Sequence, residues 1–148
     1  MQLTRKSTKW NRRGAAAVET AICLPIIFLF VFAIMEFGHA LMGHHLLANA
    51  ARLAARDAML DNSTNAAVEL TAKEFCVDSF GVELDDVNVT LDLEAEDGGS
   101  VENNSLANAS AGDRCSVTVS ISYDTVSLFP ASFFGGKQIS KAYTLEHE

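Results

Sequence analysis

No acidic residue precedes Glu19, and beyond Gly14 positive charge is scarce. Arg5, Lys6, Lys9, Arg12 and Arg13 all lie before Gly14. After it, Arg52, Arg56, Lys73, Arg114, Lys137 and Lys141 stand against all 19 acidic residues, a formal charge of −13. Phosphate contacts need a basic surface, so nucleic acid is not an expected partner of that part. Catalytic signatures are missing too. The chain has no G-x-S-x-G elbow, no P-loop and no glycine-rich nucleotide turn, so neither enzyme activity nor a cofactor is expected. Metal-ligand spacing is equally absent. Cys76 and Cys115 have no second Cys or His nearby, His39 and His44 are five apart, and adjacent His44 and His45 leave a helix on different sides. The acidic run from Glu83 to Asp97 lacks the Asp spacing of a calcium loop and reads as a solvated face.

What is present is one long apolar run. From Ala15 to Met35 only Glu19 and Thr20 are polar, and a helix of that length reaches about 30 Å, the thickness of a bilayer core. Five basic residues lie before it, so the positive-inside rule places the N-terminus in the cytoplasm and the chain after about Phe37 across the membrane. For a bacterial inner membrane that side is the periplasm. Pro25 lacks a backbone N–H and should kink the span.

The organisation expected is a basic cytoplasmic leader, residues 1–14, a transmembrane helix, 15–36, its periplasmic extension, 37–60, and a periplasmic α+β domain, 61–148. In the extension, Phe37, Leu41, His45, Ala48, Arg52, Ala55 and Met59 fall along one ribbon. Residues 61–64 break the helix and supply an N-cap for a second helix, Asn65 to about Phe80, which Gly81 ends. The period then changes to two. Val87, Val89, Leu91 and Leu93 share a strand face, as do Val117, Val119, Ile121 and Tyr123, and then Ile139, Lys141, Tyr143 and Leu145. This predicts a small antiparallel sheet covered on one side by helices. The polar stretch 94–113 lacks periodicity and reads as a long mobile loop. The segment LFPASFFGG, with three phenylalanines, is expected to touch the sheet, the membrane or a partner.

Cys23 lies in the span as a small apolar residue. Cys76 and Cys115 fall in the oxidising compartment, where a disulfide between them is the favoured reading and two buried thiols the alternative. So small a sheet would gain from such a staple.

Glu19 needs a reason. A charged carboxylate inside a bilayer costs several kcal/mol unless it is paired or shallow, and on position alone snorkelling to the interface and pairing are both open. An ordinary signal peptide is cut after its apolar run, but here the small residue, Gly14, comes before it. A short basic leader, then Gly14, then an apolar helix with Glu five residues on resembles type IV pilin-like precursors. That resemblance implies cleavage between Gly14 and Ala15 by a prepilin peptidase, and pairing of Glu19 with the new α-amine of a neighbouring subunit.

The match narrows further. R-G-A-A-A-V-E from Arg13 to Glu19, Leu24-Pro25, Glu36-Phe37-Gly38 and the Ala-Ala-Arg pattern from Ala50 to Arg56 are similar to the N-terminal signature of TadE-like proteins of the tight-adherence, Flp-type IVb pilus system. The major pilin of that system is little more than the helix and typically has an aromatic residue where this chain has Thr20. The resemblance therefore implies a minor pilin or pseudopilin supporting pilus assembly for surface attachment. Implied partners are the prepilin peptidase, other pilins and pilus-assembly membrane proteins, and inner-membrane lipid. Ala15, Ala16, Ala17, Ala21 and Gly38 are expected helix-packing points. Glu36 reads either as a boundary residue facing water or, from the resemblance, as a polar contact to another assembly protein. The competing reading of the whole chain is an uncleaved, membrane-anchored periplasmic binding module.

Overall fold

A computed structural model describes residues 12–60, 62–127 and 136–146. Most of the basic leader, Asp61 in the helix break and the Phe-rich segment 128–135 lie outside the described residues. The chain divides into two compact units, Met1–Met35 and Glu36–Glu148.

The first unit is described from Arg12 as the opening part of helix α1, Arg12–Ala58. Its large side chains, from Ile22 to Ile34, are mostly branched or aromatic and find no cover within the unit: Ile22, Phe30 and Ile34 are 64%, 62% and 71% exposed. Phe28 and Phe32, one turn apart, stack with ring centres 6.2 Å apart. The helix continues through Pro25. Among the described residues this is the one helix long and apolar enough to cross a membrane, with a mean hydropathy of 2.5.

The second unit carries the rest of α1, helix α2 (Asn65–Phe80), and strands β1 (Val87–Glu94), β2 (Arg114–Ser122) and β3 (Gln138–Glu146), with a short helical turn, α3 (Tyr123–Val126), after β2. Thr64 caps α2, its Oγ1 accepting from Ala67 N at 3.3 Å, and Gly81 ends the helix in the left-handed conformation at φ 69°. The sheet runs β1-β2-β3, antiparallel throughout, with Leu93 opposite Cys115 and Cys115 opposite Leu145. Alternation places Val87, Leu93, Cys115, Val117, Val119, Ile121 and Ile139 in the core and leaves Thr90, Asp92 and Ser140 in solvent. The α+β architecture read from the sequence is the one observed.

Two expectations change. Of the ribbon through Phe37, Leu41, His45, Ala48, Arg52, Ala55 and Met59, the residues Phe37, Leu41, His45 and Arg52 are exposed, whereas Ala55 is buried and Met59 packs against the core. With Ala55, the buried face of α1 consists of Leu47, Ala50, Ala51, Ala54 and Ala58, which join the sheet and α2 in one core. Methyl side chains let the helix axis come close to its neighbours, so small residues win over large ones at this contact. At Gly43 an added Cβ would lie 3.5 Å from Ile139 and 3.7 Å from Phe80.

The stretch 94–113 is not an unstructured loop. Its turn is closed by Ala95 N donating to Gly99 O at 2.7 Å, and Val101 and Leu106 enter the core. Asn104, at φ 49°, lays its amide along β1: Leu93 N donates to its Oδ1 at 2.7 Å, and its Nδ2 donates to Leu91 O. A side-chain amide thus satisfies two backbone groups of a strand that, among the described residues, lies at the edge of the sheet. Asp113, also buried, accepts from Ser110 N at 2.7 Å and Glu96 N at 3.2 Å, which stabilises a carboxylate away from water.

Candidate functional site

In the first unit, Gly14, Ala15 and Glu19 are helical and exposed, with Ala15 and Glu19 one turn apart on the same face. Gly14 lies two residues inside the helix rather than before it, so the Gly14–Ala15 bond is part of helical backbone. Thr20 satisfies its own hydroxyl by donating to Ala16 O at 2.8 Å. That bond removes the cost of a hydroxyl in an apolar setting, leaving Glu19 as the side chain of this segment that makes no hydrogen bond or ion pair among the described residues.

In the second unit the sequence singled out Glu36, and the structure gives it a partner within the chain. Glu36 is 2% exposed and Tyr123 1% exposed. The Tyr123 hydroxyl donates to Glu36 Oε1 at 2.7 Å and lies 3.3 Å from the Glu36 carbonyl oxygen. Glu36 therefore does not face water, the first of its two readings. Burial, and then the hydrogen bond and negative charge of Glu36, push the Tyr123 hydroxyl above its ordinary pKa. Glu36 Oε2 is buried with no hydrogen-bond partner. Tyr123 had been legible only as the last apolar residue of a strand. It stands one residue beyond β2, where its own N–H donates to Lys137 O at 2.8 Å and ties the turn to the start of β3.

The histidines go to separate surroundings: His45 is exposed, His39 lies in a cleft with Met42 and Phe80, and His44 lines a groove with Tyr123 and Ile139. Burial, then the charges of Lys141 and His45, hold the His44 imidazole below its usual pKa. Among the described residues no three His, Cys, Asp or Glu side chains come together as a metal site.

The expected Cys76–Cys115 bridge is not formed. Both cysteines are free and buried in the common core, Cys76 on α2, which lies along β1, and Cys115 at the start of β2. Burial raises the Cys76 thiol to about 11, and burial with the charge of Asp92 raises Cys115. Here they pack as small apolar residues. Cys23 is exposed in the first unit.

With Gly14, Ala15, Glu19, Glu36 and the alanine face placed, comparison with known families finds a match in the N-terminal third. Residues 14–56 match the TadE-like protein family. The TadE-like segment thus opens at Gly14, runs through Glu19 and Glu36, and ends at Arg56 beside the last buried alanines of α1. It covers less than a third of the chain, so the sheet and α2 lie outside it. No curated protein and no solved structure matches the chain.

Proposed function

We propose that this protein is a non-enzymatic, membrane-anchored assembly component of a tight-adherence pilus, a minor pilin or pseudopilin. The single observation that carries this reading is the TadE-like match over residues 14–56, which begins at the glycine of the expected cleavage site. In this reading the bare apolar part of α1 lies in the inner membrane, with the N-terminus in the cytoplasm and the sheet domain in the periplasm. A prepilin peptidase cuts between Gly14 and Ala15. Glu19, one turn from the new amine, then pairs with the amine of a neighbouring pilin, which offsets the cost of both charges in the bilayer.

The experiment is intact-mass measurement and N-terminal sequencing of the protein from cells with and without their prepilin peptidase. A mature start at Ala15 that disappears without the peptidase supports the reading. An unprocessed N-terminus in both strains sinks cleavage and leaves an anchored periplasmic binding module as the better account.

A further inference from the structure

The two edges of the sheet are built differently. Along β1, the Asn104 amide bonds Leu93 N and Leu91 O, and Val101 N donates to Leu93 O at 3.3 Å. Along β3 no such cover is present among the described residues. This strand pairs with β2 in unbroken register from Gln138 to Glu146, with no proline or bulge, and no strand lies on its other side. Every second residue of an antiparallel strand turns its N–H and C=O away from its partner, so this edge offers a row of unmade hydrogen bonds.

The side chains along the edge sort by face. On the outer face Ser140, Ala142 and Thr144 are small and exposed, and none of them obstructs a neighbouring strand. On the core-facing side Ile139 is buried, Tyr143 is half-buried and Lys141 is exposed. The Arg52 guanidinium of α1 lies over the Tyr143 ring, 5.2 Å from its centre. Neither Lys141 nor Arg52 makes an ion pair among the described residues. The stretches that build this corner, 37–56 of α1, 115–122 of β2 and 138–145 of β3, contain no acidic residue. Acids stand at the two ends of β3: Asp124 accepts from Gly136 N at 2.9 Å, and Glu146 is opposite Arg114. A lysine on the inner side guards an open edge, because a neutral strand laid beside it would cover a charge and give it no partner. A strand bearing a carboxylate at that place meets no such cost.

We propose that β3 is a docking edge for an extended segment of another protein, which adds a strand to the sheet with a carboxylate opposite Lys141 and apolar residues opposite Ile139 and Tyr143. Backbone bonds supply affinity and the alternate side chains supply choice. The site goes beyond the pilus-assembly reading and depends on neither anchoring nor cleavage, so its failure leaves that reading untouched.

The test is hydrogen exchange of the full-length protein in detergent, titrated with the synthetic peptide Thr-Val-Thr-Glu-Thr-Val-Thr or with the same peptide carrying Lys in place of Glu. The expected result is slowed exchange at the β3 amides that β2 leaves free, with α2 unchanged. The Lys peptide should need about tenfold more for the same effect, since opposite charges across a strand pair attract and like charges repel. Lys141→Glu should reverse that order and Lys141→Gln should remove it, with exchange in β2 as the check that each variant is folded. No slowing by millimolar Glu peptide, or equal slowing by both peptides, overturns the proposal. Protection of the β3 edge without peptide that is lost on dilution also overturns it, and assigns the edge to a second copy of this chain.

Discussion

Tyr123 reaches across 87 positions of sequence to place its hydroxyl 2.7 Å from a carboxylate oxygen of Glu36, and both residues are buried. The bond joins the first turn of the second unit's helix to the corner between β2 and β3. Tyr123→Phe is expected to lower stability by about 1–3 kcal/mol, because a buried carboxylate loses its donor. Glu36→Gln, which keeps an acceptor for the hydroxyl, should cost less. Chemical denaturation of the detergent-solubilised full chain measures both, and a neutral Tyr123→Phe would show that the bond contributes nothing.

The same contact sets an alkaline limit. Since the Tyr123 pKa is raised on folding, the folded state keeps a proton that the unfolded chain releases above about pH 10. Its contribution is fully present below that pH and declines as pH rises beyond it. Comparing denaturation midpoints at neutral pH and above pH 10 should show a steeper fall for the native chain than for Tyr123→Phe.

Thiol chemistry tests the core cysteines. In non-reducing buffer, a thiol reagent should find three thiols after denaturation, and in the folded protein Cys76 and Cys115 should be protected. With burial raising Cys76 to about 11, little thiolate is present at neutral pH while the site stays closed. Recovery of a single thiol from the denatured, unreduced protein would restore the disulfide.

Asn104→Ala should free the edge of β1. Leu93 N and Leu91 O would lose their side-chain partners, for an expected cost of about 1–2 kcal/mol. Hydrogen exchange at the Leu93 amide is the direct readout, and unchanged protection there would show that the amide cap is dispensable.

Gly43→Ala tests the closeness of α1. The added methyl meets Ile139 and Phe80 at ordinary contact distances, so the gain in helix propensity, about 0.8–1 kcal/mol, should appear as added thermal stability. Gly43→Leu has no such room and should destabilise.

Local periodicity made the main elements legible. The change from helical to two-residue spacing at Gly81, an N-cap within residues 61–64, which the structure narrows to Thr64, and the alternation around Val117–Ile121 all stand. What escaped was long-range. Nothing near Glu36 names Tyr123 as its donor, and nothing near Leu93 names Asn104, because a hydrogen bond over many residues leaves no periodic trace. The buried face of α1 escaped for a different reason. Reading for large apolar side chains selects Phe37 and Leu41, while the contact surface is made of alanines, whose burial depends on what stands opposite them. At the candidate site, Gly14 and Glu19 were found from their order in the chain, which survives without any tertiary information.

The alanine face of α1 also determines which way this protein can change. In most cores, shortening a side chain is the common injury, since it leaves a cavity. Along Ala50, Ala51, Ala54, Ala55 and Ala58 there is almost nothing to shorten, so the injury comes from growth: each added methylene has to push a helix away from a sheet, at about 1–3 kcal/mol. Random substitution there is a one-sided hazard. Every residue type except glycine and serine is larger, and glycine weakens the helix. This stretch of helix is thus held to its sequence by lack of room, independently of any partner it meets.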